Sequence, residues 1–349
     1  MASEREIEKT IFGLRFNKEG KEMGGKLLQS LILLIVLAFF AFSAHAQKLS
    51  SAYGAVGGSF LPMWVTHEVG LFKKYGLDVE LVFVRGGSLA TTAILAGQTP
   101  IAGADVSVIS MAGSGADIAF IATMVDTLPY FLVARPEIKT KEDLRGKRVA
   151  VSRFGSLTDF VSRMALEGLG LAPDRDVAIV QIGTAPDRFA ALEGNVVQAT
   201  LLSPPTHLMA KKKGFSIIVD VSAIGLKAPN STLATTRSYV KSNREAVRKY
   251  LMAYLEGIKV LKSNPALSMR ILSKYTRVSD AASLQEAYRV YAGAVPERPY
   301  VDLPSVQKVI DFYKKGRPEM TKLKAEQVVD MSVLRELDQS GFIDSLYKK

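Results

Sequence analysis

The chain has no cysteine, three histidines and one tryptophan among 349 residues. Absence of cysteine excludes a disulfide framework, a thiolate metal site, a cysteine nucleophile and a thioether lipid anchor. Three scattered histidines leave little room for a histidine zinc site. The motifs of the common enzyme classes are missing as well: there is no Gly-x-Ser-x-Gly, no Gly-x-x-x-x-Gly-Lys-Ser/Thr, no Gly-x-Gly-x-x-Gly and no His-Glu-x-x-His. Acidic side chains are outnumbered, 34 against 45 Lys and Arg, which gives a formal charge of +11. The basic residues form no stripe interleaved with aromatics, so nucleic acid is not the expected partner. A long apolar run is also lacking, because Leu31–Phe42 stops at twelve residues and a membrane span needs roughly 20.

That short run explains itself by its flanks. Lys26 precedes it and Ser43-Ala44-His45-Ala46 follows, the basic, apolar, small-residue order of a secretory signal peptide. Cleavage is expected after Ala46, with Met23 as the expected start of translation. The alternative is an uncleaved anchor. Residues 1–46 carry six basic and five acidic side chains, so the remaining chain holds +10, enough length for two lobes of about 100–200 residues each.

From Gln47 onward, strand and helix patterns alternate. Strands are expected over Leu49–Val56, Asp78–Val84, Pro100–Val106, Ala119–Val125 and Pro129–Ala134. A second series covers Arg148–Ser152, Val177–Ile182, Val196–Leu202 and Ile217–Val221. Helices fall between them over Phe60–Glu68, Leu89–Ala96, Leu157–Leu169 and Thr206–Lys212. Ser88 and Ser156 are the expected helix caps, with Asp159 completing a capping box. After a strand at Ser231–Thr236 the chain turns helical, and Ser242–Lys262 carries Val247, Leu251, Tyr254, Leu255, Ile258 and Leu261 on one face. The fold class is therefore α/β, with helix-covered sheets and a helical C-terminal section.

Four stretches resemble a group of extracytoplasmic solute-binding proteins. They are Pro62-Met63-Trp64 with Glu68–Glu80, Ile94–Gln98, Asp143–Val151 and Ser340–Asp344. The group serves ABC importers of sulfonates, taurine, nitrate and pyrimidine precursors. Membership implies a type II periplasmic-binding-protein fold with mixed sheets and two hinge crossings. By analogy lobe one is 47–135 plus 231–349, and lobe two is 136–230. It also implies a small solute and a membrane permease as partners, a monomer in the periplasm, no cofactor and no catalysis. The related pyrimidine synthase of fungal thiamine synthesis uses a cysteine cluster that this chain lacks.

Candidate ligand-binding residues sit where strands hand over to helices, because outward N–H groups and the helix dipole favour anions there. These are Gly58 and Ser59, Gly87 and Ser88, Ser156, and Thr184. Phe60 and Trp64 are candidate aromatic walls, with core packing as the alternative. Arg153 is a candidate clamp for a carboxylate, sulfonate or phosphate. Asp105 is placed to accept an amine, and Ser203 to donate a hydrogen bond from lobe two. The expected solute is anionic or zwitterionic.

Overall fold

The computed structural model describes residues 47–223 and 225–348. The leader, its apolar run and Met23 lie outside the described residues. No described helix is long and apolar enough to cross a membrane.

Among the described residues, ten strands form two five-stranded sheets. The first is made from β1 (Gln47–Tyr53), β2 (Leu77–Phe83), β3 (Ile101–Ala104), β4 (Ala119–Val125) and β10 (Ser231–Thr235), in the order β2-β1-β3-β10-β4. The second is made from β5 (Phe131–Ala134), β6 (Arg148–Val151), β7 (Ala178–Gln181), β8 (Ala199–Leu202) and β9 (Ser216–Asp220), in the order β7-β6-β8-β5-β9. The chain passes between sheets twice, before β5 and before β10.

Strand direction follows from those crossings. β1, β2 and β3 run parallel, as do β6, β7 and β8. β10 is antiparallel to β3 and β4, and β5 is antiparallel to β8 and β9. Each antiparallel strand is the first one after a crossing. It starts at the side facing the other sheet, where the parallel strands end. The analogy drawn from the sequence assigns Pro129–Ala134 to lobe one. Its pairing with β8 and β9 instead places it in the second sheet, so the first crossing falls over 126–130.

The helices cover the sheets with amphipathic faces. Val247, Leu251, Tyr254, Leu255, Ile258 and Leu261 are all buried, and the Tyr254 hydroxyl donates to the Thr123 carbonyl of β4 at 2.8 Å. This helix does not start at Ser242. Asn243, at φ −129° and ψ 39°, separates Arg237–Ser242 from Arg244–Ser263, and the Ser242 hydroxyl donates back to the Ser238 carbonyl. Gly257 lets this long helix approach the helix Leu61–Glu68 closely. A Cβ there would lie 1.9 Å from Thr66 Oγ1 and 2.9 Å from Thr66 Cβ.

That contact yields a stability prediction. Gly257→Ala adds one buried methyl where none fits, and overpacking of this kind costs about 1–3 kcal/mol despite the better helix propensity of alanine. Urea denaturation of the exported chain is expected to show a lower midpoint with an unchanged slope.

Candidate functional site

The parallel strands of both sheets point their carboxyl ends at one another, and the cleft between them is where ligands sit in open sheets of this kind. The residues after β1, β2, β3, β6, β7 and β8 line a cavity there, together with Tyr130 and Asn230 from the two crossings. Its volume, counted as room for the centres of water molecules, is about 60 Å³.

Glycines make the walls thin. At Gly54 an added Cβ would fall 2.7 Å from the Gly87 backbone nitrogen, so two turns press backbone on backbone. At Gly87 it would fall 2.2 Å from Asp105 Oδ2. Glycine at 87 therefore makes space for the Asp105 carboxylate.

Asp105 follows β3 and is buried. Its Oδ1 accepts the Ser107 N–H at 2.9 Å. Its Oδ2 accepts the Leu157 N–H at 3.0 Å, at the start of the helix Leu157–Gly168 on the other side of the cleft. Burial pushes its pKa up, and the hydrogen bonds from Ser107 and Leu157 pull the other way. The carboxylate thus joins the lobes and caps a helix in one contact. Arg85 Nη1 with Asp187 Oδ2 at 3.1 Å and Lys212 Nζ with Asp280 Oδ2 at 2.6 Å add exposed interlobe pairs, each worth under about 1 kcal/mol.

Arg188 stands on the lobe-two wall and is 3% exposed. Nε donates to Thr200 Oγ1 at 3.1 Å, Nη1 to the Gly183 carbonyl at 2.5 Å and Nη2 to the Leu201 carbonyl at 3.1 Å. Burial lowers its pKa to about 10, which leaves it protonated at neutral pH. Tyr130 is pushed up to about 12 by burial and feels both Arg188 and Asp105. Its hydroxyl donates to Asn230 Oδ1 at 3.4 Å, and Asn230 Nδ2 donates to the Thr127 carbonyl at 2.7 Å. The two crossings are tied to each other at the cavity floor.

Six of the residues singled out in the sequence line this cavity: Ser59, Phe60, Gly87, Asp105, Thr184 and Ser203. Five do not. Trp64 is fully buried in the lobe-one core, where it stacks on Tyr275 at 4.4 Å between ring centroids. It is no cleft wall, because the helix turns it inward behind Phe60, 6.4 Å away. Gly58 faces the Tyr291 ring. Ser88 lies one residue inside a helix that starts at Gly87 and is capped by Gly86, so it is not the cap. Arg153 lays its aliphatic stem along Gly86. Ser156 donates to the Arg153 carbonyl at 2.7 Å and contacts Ser152 Oγ at 2.8 Å. Its expected box with Asp159 is displaced by one residue, since Asp159 Oδ2 accepts the Gly155 N–H.

Two of the turns expected to offer N–H groups to an anion already hold a protein carboxylate. Asp105 occupies the N–H of Leu157, and Asp187 forms a capping box with Thr184. Asp105 in turn accepts one backbone N–H at each oxygen, so an amine there would share oxygens already engaged with Ser107 and Leu157. Arg188, Tyr130, Ser152, Thr158 and Asn230 line the cavity without being among the candidate binding residues. For Arg188 a signal exists: it stands four residues after Thr184, one helical turn along on the same face.

Comparison with known proteins gives a consistent picture. The NMT1/THI5-like family profile matches residues 58–268. YtlA of Bacillus subtilis (strain 168), named only as a candidate binding protein, is 25% identical over 252 residues, 70% of this chain and 75% of its own. The riboflavin-binding protein RibY of Chloroflexus aurantiacus is 22% identical over 218 residues, 59% of this chain and 60% of its own. Among solved structures, the periplasmic aliphatic sulphonate binding protein SsuA of Escherichia coli has a TM-score of 0.62 at 20% identity. That alignment covers 81% of this chain and 92% of SsuA. The nitrate-binding protein NrtA of Synechocystis PCC 6803 has a TM-score of 0.66 at 14% identity, covering 84% and 89%. The fold is that of the periplasmic binding proteins.

Asp105 generates a pH prediction. Its raised folded pKa means that the folded chain holds a proton which the unfolded chain releases near the ordinary value of about 3.9. This group therefore withdraws stability as pH rises from about 4 through its folded pKa, by at most about 1.4 kcal/mol for every pH interval of one between those two values. Asp105→Asn removes that slope. The stability difference between variant and wild type, measured by denaturant at a series of pH values, is expected to move in favour of the variant as pH rises. A difference independent of pH overturns the assignment.

Proposed function

The chain belongs to the NMT1/THI5-like family, and we propose that its exported part is the solute-binding protein of an ABC importer. The observation that carries this reading is the cavity itself. It is small, built from the strand ends of two sheets, and floored by the two crossings about which the lobes hinge. A solute held there touches both walls at once. Ligand contacts to both walls then favour the closed form by their difference in affinity for the two states.

The chain captures its solute without converting it. It works as a monomer in the periplasm and presents the closed form to a membrane permease. Cleavage after Ala46 leaves the first strand whole, because the Gln47 N–H donates to the Gly76 carbonyl at 3.1 Å. The names of the relatives support binding as the shared activity, although they point to different solutes: riboflavin for RibY, aliphatic sulphonate for SsuA, nitrate for NrtA.

Native mass spectrometry of the protein released from the periplasm tests this directly. The expected species begins at Gln47, is monomeric, and carries one small molecule that is lost on denaturation. A chain that retains Leu31–Phe42 indicates a membrane-anchored sensor instead. A folded chain that neither arrives with a solute nor shifts its melting temperature with any small solute overturns the receptor reading.

A further inference from the structure

We propose that Arg188 is the ligand anchor of the cavity and that the captured solute presents a single compact oxyanion to it. The inference rests on the receptor reading above and specifies the chemistry of that same site.

Arg188 carries a charge with no counterion in direct contact. Arg188 is buried, and among the described residues no carboxylate lies within ion-pair distance of its guanidinium. Its three hydrogen bonds all go to neutral acceptors, Thr200 Oγ1 and the carbonyls of Gly183 and Leu201. A guanidinium has five N–H donors, so two meet no acceptor among the described residues. A buried ion left in this state is costly until a partner of opposite charge arrives. Since Arg188 lines the cavity, the partner comes from the solute, and a planar or trigonal oxyanion suits the guanidinium fork.

Asp105 does not serve as that partner. Each of its oxygens already accepts a backbone N–H, from Ser107 and from Leu157, and the second of these bonds closes the cleft. A ligand ammonium at Asp105 has to share oxygens that already hold the Ser107 N–H and the cleft-closing Leu157 N–H, so the cavity favours a monoanion over a zwitterion. Asp187 is also committed elsewhere. It caps Thr184 and pairs with Arg85 at the surface. A cavity of about 60 Å³ holds roughly four to six waters at about 10–15 Å³ for each on this measure. A head group the size of formate, nitrate or a sulfonate displaces that set.

The test uses the exported chain, residues 47–349, unfolded and refolded to remove any carried solute. Thermal melting at pH 7 and constant ionic strength is followed with formate, nitrate and methanesulfonate. Formamide and methanesulfonamide serve as neutral counterparts, and glycine as the zwitterion. At least one anion is expected to raise Tm saturably, with its neutral counterpart and glycine about 30-fold weaker or worse. Arg188→Met is expected to abolish the response. Arg188→Lys, which keeps the charge and loses the fork, is expected to weaken it about 10-fold or more. If the methionine variant does not fold, the lysine variant and the wild-type panel decide. Neutral compounds binding as tightly as anions, or a folded variant at 188 that binds the anion unchanged, overturn the anchor and leave the receptor reading standing. No response from any of these compounds overturns the anchor. If the periplasmic protein also carries no solute, the receptor reading falls with it.

Discussion

One hydrogen bond ties the two lobes at the centre of the molecule. The Asp105 carboxylate leaves the end of β3 and reaches the first N–H of the helix Leu157–Gly168, so a group of one lobe completes a helix of the other. Several features exist to make that reach possible. Gly87 has no Cβ where the carboxylate passes, and Gly54 lets the neighbouring turn lie against it. The Ser107 N–H holds the other oxygen, which fixes the carboxylate orientation before the lobes meet. Opening the cleft exposes an uncapped helix start and a solvated carboxylate, both well served by water. Closing it exchanges those water contacts for protein contacts at small net gain. This near balance suits a receptor, whose two states must differ by little enough for a solute to decide between them.

Placement of charge in the cleft follows the same frame. The lobe-one wall supplies a carboxylate that is already satisfied, and the lobe-two wall supplies a guanidinium that is not. Tyr130 lies between them at the first crossing, with its proton held firmly by burial. It therefore acts as a neutral hydrogen-bonding group at physiological pH. The surface charge of the chain has no part in this. Its ion pairs are mostly exposed and individually weak, whereas the cavity concentrates its electrostatics on buried groups that bulk water screens less.

Much of this architecture is visible in the sequence, for a definable reason. Strand ends followed by Gly-Gly-Ser, Gly-Ser or Gly-Thr mark the turns at the cleft, and Ser59, Gly87 and Thr184 from such turns do line it. Turn chemistry is local, so local patterns report it. What local patterns do not report is which side of an element faces the cleft. Trp64 and Phe60 lie four residues apart on neighbouring turns, yet one is core and the other wall, because the packing of Tyr275 and the helix Arg244–Ser263 decides between them. The strand Phe131–Ala134 illustrates the same limit. Its composition indicates a strand but not its sheet, which depends on where the chain crosses. Arg188 is legible only in part: its spacing from Thr184 marks the face it stands on, but nothing local separates a buried arginine from a solvated one. Its burial comes from β8, through Thr200 and Leu201.

This division also explains why a family match leaves the solute unnamed. The frame consists of backbone ladders, apolar helix faces and a few glycines at close approaches, all of which tolerate wide changes in sequence. Relatives at 14–25% identity can therefore share it. The solute is read by a handful of side chains at strand ends, and a change in one of them alters the chemistry of the cavity without disturbing the frame. In this chain the distinctive element is a guanidinium whose protein partners are all neutral. A solute that fits the cavity either answers that charge or leaves it without an opposite charge. Discrimination then comes less from attraction to the correct solute than from the buried charge that a wrong one strands.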